Sequence, residues 1–217
     1  PATASVIMYD PLADSWSFTN EVDAPEARAD VEAVWTGTEM VVWGGYGVLP
    51  TGEPGYPHAG GRYRLSTDSW LPINIGDAPP GRVSQAFAWT GTQLVVWGGE
   101  RWLEYLQGGG RFDPTLGVWL PMSTTNAPPL PRYARSNVWS GSELLIWGGK
   151  WTNAEYTDGN RYDPITDTWH TITTSGAPEA RSAHVALWTG SRLLIWGGDG
   201  SPYGLITGGL YDPGTDS

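Results

Sequence analysis

The sequence predicts an all-β protein built from a repeated antiparallel unit. Three observations carry that prediction. A short apolar run ending in two glycines occurs four times: Met40-Val41-Val42-Trp43-Gly44-Gly45, Leu94-Val95-Val96-Trp97-Gly98-Gly99, Leu144-Leu145-Ile146-Trp147-Gly148-Gly149 and Leu193-Leu194-Ile195-Trp196-Gly197-Gly198. The copies follow one another at steps of 54, 50 and 49 residues, and a period near that length marks a repeat architecture. Thirty glycines and eighteen prolines among 217 residues supply turns at high density,. Each run is apolar throughout, too short for a helix packed on all sides, and rich in β-branched and aromatic residues. It therefore reads as a strand covered on both faces.

The other elements follow in chain order. Ala-Pro pairs at Ala24-Pro25, Ala78-Pro79, Ala127-Pro128 and Ala177-Pro178 set an extended entry to a first strand,. Beyond each pair stands an arginine (Arg28, Arg82, Arg132, Arg181), seven residues before a tryptophan (Trp35, Trp89, Trp139, Trp188). Thr-Gly or Ser-Gly then separates that tryptophan from the apolar run. This is hairpin chemistry, because glycine adopts positive φ without a Cβ clash. After the glycine pair comes a loop of variable length, then a third strand ending in Tyr63, Phe112, Tyr162 or Tyr211, with Tyr9 as an extra early copy. Asp-Pro follows at Asp10-Pro11, Asp113-Pro114, Asp163-Pro164 and Asp212-Pro213, the pattern of a type I turn,. The copy after Tyr63 departs, with Arg64-Leu65. A fourth strand opens at Trp16, Trp70, Trp119 or Trp169.

Four antiparallel strands per repeat, joined by tight turns, are the pattern of a β-propeller blade. We divide one domain, 1–217, into repeats at approximately 21–75, 76–124 and 125–174, with partial repeats at 1–20 and 175–217. Twelve of the fourteen tryptophans occupy three repeated positions, and a set of three per blade is expected to fill the space between neighbours,. The other two, Trp102 and Trp151, fall in the variable loops.

The Gly-Gly after the second strand, the Tyr-Asp-Pro turn and the tryptophan seven residues after that tyrosine resemble the kelch repeat, over essentially the whole chain. Tryptophan before the Gly-Gly and at the end of the first strand is similar to bacterial kelch-like repeats. The resemblance implies that the first strand lines a central channel. It implies that the four arginines pair with carbonyls or carboxylates near the channel mouth, against the alternative of direct ligand contact. It also implies that the loops joining strand two to three and strand four to one share one face. The Thr-Gly and Asp-Pro turns share the other.

The turns are nearly uniform between repeats, whereas the second-to-third loops, residues 46–59, 100–107, 150–158 and 199–207, differ entirely. A shared scaffold that varies on one face points to that face for binding. Its candidate ligand contacts are Tyr46, Tyr56, Trp102, Tyr105, Trp151, Tyr156 and Tyr203, with Glu53, Glu100, Glu104, Glu155, Asp158 and Asp199 as acceptors. Aromatic platforms with acceptors suit a glycan or a protein partner. Packing of the loops onto the scaffold is the competing reading. Arg28, Arg82, Arg132, Arg181 and His184 complete the candidate set. His184 stands three residues after Arg181, where the other repeats have Val31, Gln85 and Arg135.

Composition excludes several classes of function. The absence of cysteine removes disulfides, thiolate metal sites and cysteine nucleophiles,. A net charge of −11 argues against a nucleic-acid groove and against an anionic membrane surface,. No apolar run approaches membrane-spanning length, so no membrane insertion is expected. His58, His170 and His184 fall at different repeat positions, so no shared metal cluster is implied,. No catalytic residue, metal or cofactor is expected. The copper oxidase with a kelch-type propeller needs a cysteine-tyrosine cofactor, which this sequence excludes. A carbohydrate-active enzyme of the sialic acid epimerase kind stays open by analogy. The reading is a non-catalytic binding module, extracellular or periplasmic. The chain opens on a third and a fourth strand and ends one residue before the next tryptophan is due. We therefore expect a segment of a larger propeller, or self-association of copies through open ends, over closure by pairing the Trp16 strand beside residues 205–211.

Overall fold

The computed structural model describes residues 6–102, 104–128, 132, 136–152, 154–201 and 204–217. Among them the regular structure is strand, apart from the single 3-10 turn Leu65–Thr67. That turn stands where Arg64-Leu65 replaces Asp-Pro. The first complete blade is the antiparallel sheet Glu32–Trp35, Glu39–Trp43, Gly60–Arg64, Ser69–Pro72, with neighbours in chain order. The third repeats it with Ser136–Trp139, Leu144–Trp147, Gly159–Asp163 and Thr168–Thr171. The second has the same order in Ala86–Trp89, Leu94–Trp97, Gly109–Asp113 and Val118–Pro121. The last sheet has three strands, Val185–Trp188, Leu193–Trp196 and Gly208–Tyr211. At the other end Ile7–Asp10 pairs with Ser15–Phe18, and these take the third and fourth strand positions. The chain forms two compact units, Pro1–Val83 with Phe112–Leu120, and Ser84–Arg111 with Pro121–Ser217.

Glycine does its expected work in two places. Gly37, Gly91, Gly141 and Gly190 turn the first hairpins at φ between 98° and 101°. Both members of each Gly-Gly pair also have positive φ. A Cβ on Gly45 would stand 2.8 Å from the Ala29 carbonyl oxygen, and one on Gly198 would stand 2.5 Å from that of Ser182. No other residue fits there.

The turn from third to fourth strand is fixed by a pairing that runs five residues along the chain. Tyr9, Tyr63, Tyr162 and Tyr211 donate their hydroxyls to Asp14, Asp68, Asp167 and Asp216 at 2.6–2.7 Å. Each of these aspartates has positive φ. Three of them also accept a backbone N–H from the exit of the preceding fourth strand: Asp68 from Asn20, Asp167 from Ser123 and Asp216 from Thr173. One carboxylate thus closes its own turn and holds the neighbouring sheet. Burial, then the Asp68 bond, pushes the Tyr63 phenol up to about 12,. The Asn20 amide, then the Tyr63 hydroxyl, holds Asp68 below the usual carboxylate range. The second repeat solves the turn differently. Phe112 has no hydroxyl, Gly117 takes the positive-φ place, and Asn74 Nδ2 donates to the Gly117 carbonyl at 3.2 Å.

The core explains why the second strands are apolar at every position. Leu144 and Ile146 face Ala86, Val95 and Trp97, while Leu145 and Trp147 face Leu193, Ile195 and Tyr211. A strand between two sheets has no solvent side. Trp43 meets Trp119 at 5.4 Å, and Trp97 meets Trp169 at 4.7 Å, both tilted. The fourth-strand indoles are also hydrogen-bonded, Trp119 to the Asn74 carbonyl and Trp169 to that of Ser123. A third-strand arginine latches onto the next Asp-Pro turn: Arg62 to the Pro114 carbonyl, Arg111 to Pro164 and Arg161 to Pro213.

The expectation of three buried tryptophans per blade needs correction. Trp35 is 53% exposed, and Trp89, Trp139 and Trp188 are only half-buried. These residues end the first strand beside its hairpin, where the sheet runs out. The outermost sheets also leave one face open. Trp196 is 56% exposed beside Val185, Leu187 and Leu210, and Trp16 is 70% exposed.

Replacing Trp97 or Trp147 by alanine is therefore expected to cost about 3–5 kcal/mol in urea unfolding. Trp196→Ala is expected to cost less than about 1 kcal/mol. A loss below about 1 kcal/mol for Trp97→Ala would show that its strand is not central.

Candidate functional site

The loop side is stitched together before any side chain is considered. Arg28–Ala29, on the way into the first strand, pairs with Tyr46–Val48, which pairs in turn with Pro54–Gly55. In the last repeat, Ser182 and Asp199 form the corresponding bridge. The strand-four-to-one and strand-two-to-three segments therefore meet at the same end of a blade, opposite the Thr-Gly hairpins. Two of the variable loops fold into miniature hairpins, Glu100–Arg101 with Glu104–Tyr105, and Lys150–Trp151 with Ala154–Glu155.

These hairpins display their aromatics unequally. Trp102 sits at a turn with φ +51° and is 62% exposed. Trp151 lies opposite Ala154 and is 39% exposed. Register places Trp151 where the other hairpin has Arg101, so the two tryptophans are not equivalent. Tyr46 is exposed and meets the half-buried Tyr56 edge-on at 5.2 Å. Tyr105 is half-buried. Tyr156 lies under the Arg132 guanidinium at 4.5 Å, and burial raises its phenol pKa against the opposing pull of Arg132,. Tyr203 lies outside the described residues.

The four arginines hold the bases of these loops. Arg28 donates to the carbonyls of Gly44 and Ala59. Arg132 donates to the carbonyls of Gly148 and Asp158, and forks onto the Asp158 carboxylate at 2.9 and 3.2 Å. Arg181 donates to the carbonyls of Gly197 and Thr207 and to the Thr207 hydroxyl. The Nε of Arg28, Arg82 and Arg181 takes the carbonyl two residues back. Arg82, Arg132 and Arg181 are buried. Each bond to a glycine carbonyl ties the end of a second strand to the start of the third, across the loop that separates them. Burial lowers the pKa of Arg28 and Arg181, with Glu26 and Glu179 opposing it. These arginines position the loops from beneath.

His184 is placed between sheets. It is buried, its Nε2 is hydrogen-bonded to Ser136 Oγ, and its ring meets Trp147 edge-on at 5.3 Å. Gly148 makes room for it, since a Cβ there would stand 2.7 Å from the ring. Nδ1 has no partner among the described residues. Burial first, and the Arg181 charge second, pulls its pKa to about 4. Among the described residues no group of three or more His, Cys, Asp or Glu is placed to hold a metal ion. The sequence reading missed the carboxylates on the third-strand arginines, Glu39 with Arg62 and Arg64, and Glu143 with Arg161. The Glu four residues before the tryptophan of Trp-Gly-Gly, at Glu39 and Glu143, was the available signal.

A family model described as the KLHDC2/KLHL20/DRC7 Kelch-repeats domain matches residues 1–198. No curated protein matches the chain.

The His184 geometry fixes a pH response. The folded chain keeps the imidazole neutral down to about pH 4, while the unfolded chain takes its proton near the ordinary value of 6.5. Stability is therefore complete above pH 6.5 and falls as pH drops from 6.5 towards 4,. Urea midpoints across that window are expected to flatten in His184→Gln, which installs the residue found at the matching place, Gln85. An unchanged slope in the variant would assign the response elsewhere.

Proposed function

The chain belongs to the kelch-repeat family, whose domains generally mediate protein interactions, and on that footing we propose a non-catalytic module that engages a protein partner through its loop side. The observation that carries this reading is the pair of tryptophans, Trp102 and Trp151, exposed on short hairpins. Large aromatics held on a rigid base are the usual anchors of protein interfaces. Both hairpins are held by their own main-chain pairing, and the buried Arg132 guanidinium ties the base of the Trp151 loop through the Gly148 and Asp158 carbonyls. Little conformational entropy is then lost when a partner docks. The acidic balance of the chain, −11, favours a partner surface carrying basic residues at its rim,.

A glycan would also stack on exposed tryptophans, and one experiment separates the two. A displayed peptide library and a glycan array are screened in parallel against the whole chain. Binding of selected peptides is expected to weaken by about tenfold or more in Trp102→Ala and in Trp151→Ala, with melting nearly unchanged. Selection of glycans alone would reassign the partner. Melting that collapses while binding survives would make both tryptophans packing residues.

A further inference from the structure

A cavity of about 410 Å³ opens at the hairpin end of the second and third repeats, remote in each repeat from the variable loops. Trp139, Pro164 and Ile165 line it, and Thr90, Thr92, Ser142 and Gln93 supply its polar groups. Among the described residues no charged side chain lines it.

Gln93 is the unusual member. The matching residue is Glu39 in the first repeat, bound by Arg62 and Arg64, and Glu143 in the third, bound by Arg161. In the fourth it is Arg192, set against Asp212 at 3.5 Å. In each of the other three repeats this position is therefore committed to an ion pair. In the second repeat the carboxylate is an amide, and the third-strand arginine keeps the turn-carbonyl bond that Arg62 and Arg161 also make, without the glutamate. Arg111 donates to the carbonyls of Pro164 and Pro121 and approaches Asp167 at 3.8 Å. The Gln93 backbone is held by Thr90. Its side-chain amide has no partner among the described residues, and neither has the Trp139 indole N–H. Trp139 is packed against the core on one side, which fixes its ring.

We propose that this cavity binds a neutral sugar ring. An amide offers one acceptor and two donors, which match a pair of adjacent hydroxyls that each donate and accept. An indole wall suits the C–H face of a pyranose, and the Thr92 and Ser142 hydroxyls extend the polar rim,. The volume lies in the range of small-ligand sites, about 300–1,000 Å³. A phosphate or carboxylate ligand would find no cation in the lining. A proline-rich peptide would stack on Trp139, but it offers mainly carbonyl acceptors and would leave Gln93 Oε1 without a donor. The site is separate from the loop side, so failure of either reading leaves the other standing.

The test uses glucose, galactose, mannose and N-acetylglucosamine, each titrated into the whole chain and followed by saturation-transfer NMR and calorimetry. At least one is expected to bind, with weak affinity that is insensitive to salt. Gln93→Glu restores the residue type of the first and third repeats, so it is expected to fold normally and to weaken binding by about tenfold or more. Trp139→Phe is expected to weaken it with little change in melting, and Trp102→Ala to leave it unchanged. The proposal is overturned if none of the four sugars binds, or if binding persists in Gln93→Glu and Trp139→Phe. It is equally overturned if a proline-rich peptide binds there in their place.

Discussion

The loop side depends on one contact: a buried guanidinium donating to the glycine carbonyl that ends the second strand. It is seen in Arg28 to Gly44, Arg132 to Gly148 and Arg181 to Gly197. Burying an arginine is costly unless its donors are satisfied. Here the acceptors are carbonyls freed by the Gly-Gly turn, which has left the strand ladder. The two costs cancel each other. A strand can turn sharply because an arginine caps it, and the arginine can be buried because the turn supplies its acceptors. The loop that begins beyond this point can then change in length and sequence without loosening the sheet.

Sheet-to-sheet order rests on a different contact, the carboxylate shared between a tyrosine hydroxyl and a neighbouring backbone N–H. Its acceptor strength comes from staying charged, and both donors hold Asp68 and Asp216 below the usual carboxylate range. Hydrophobic burial between sheets is non-directional and would tolerate sliding. A charged acceptor with two fixed donors does not, so it sets the offset at which Trp97 meets Trp169.

Fold class, strand order and hairpin positions could be read from the sequence because each has a local chemical cause: Gly at positive φ, Asp-Pro at a turn, unbroken apolar runs. The buried arginines were equally visible as repeated residues seven places before a tryptophan. The limits of such reading were of two kinds. Exposure of Trp35 and Trp196 depends on which sheet covers which, and residue type does not encode that. The unequal roles of Trp102 and Trp151 depend on register within loops of different sequence, where one residue of slip exchanges a turn for a strand,. The Tyr-to-Asp spacing of five was present in four copies and went unread, since the hydroxyl bond it encodes crosses a turn already assigned to Asp-Pro.

Repeats also separate structure from function through their exceptions. At Phe112 the second repeat loses a hydroxyl, and it makes good the loss nearby: Gly117 carries the positive φ, and Asn74 supplies a new bond. That departure is compensated, and its outcome is the same turn. At Gln93 the same repeat loses an ion pair; Arg111 turns instead to Pro121 and Asp167, and among the described residues the Gln93 amide has no partner. Arg111 is satisfied by Pro164, Pro121 and Asp167, while the amide stays beside a fixed indole and a cavity. A position under structural demand alone has no reason to keep an unused polar group where a glutamate would bind its arginine. An amide left without a partner beside a cavity is where a ligand is the simplest missing partner. The same test separates the loop side from its base, since the arginines repeat with their acceptors while the aromatics above them do not repeat at all.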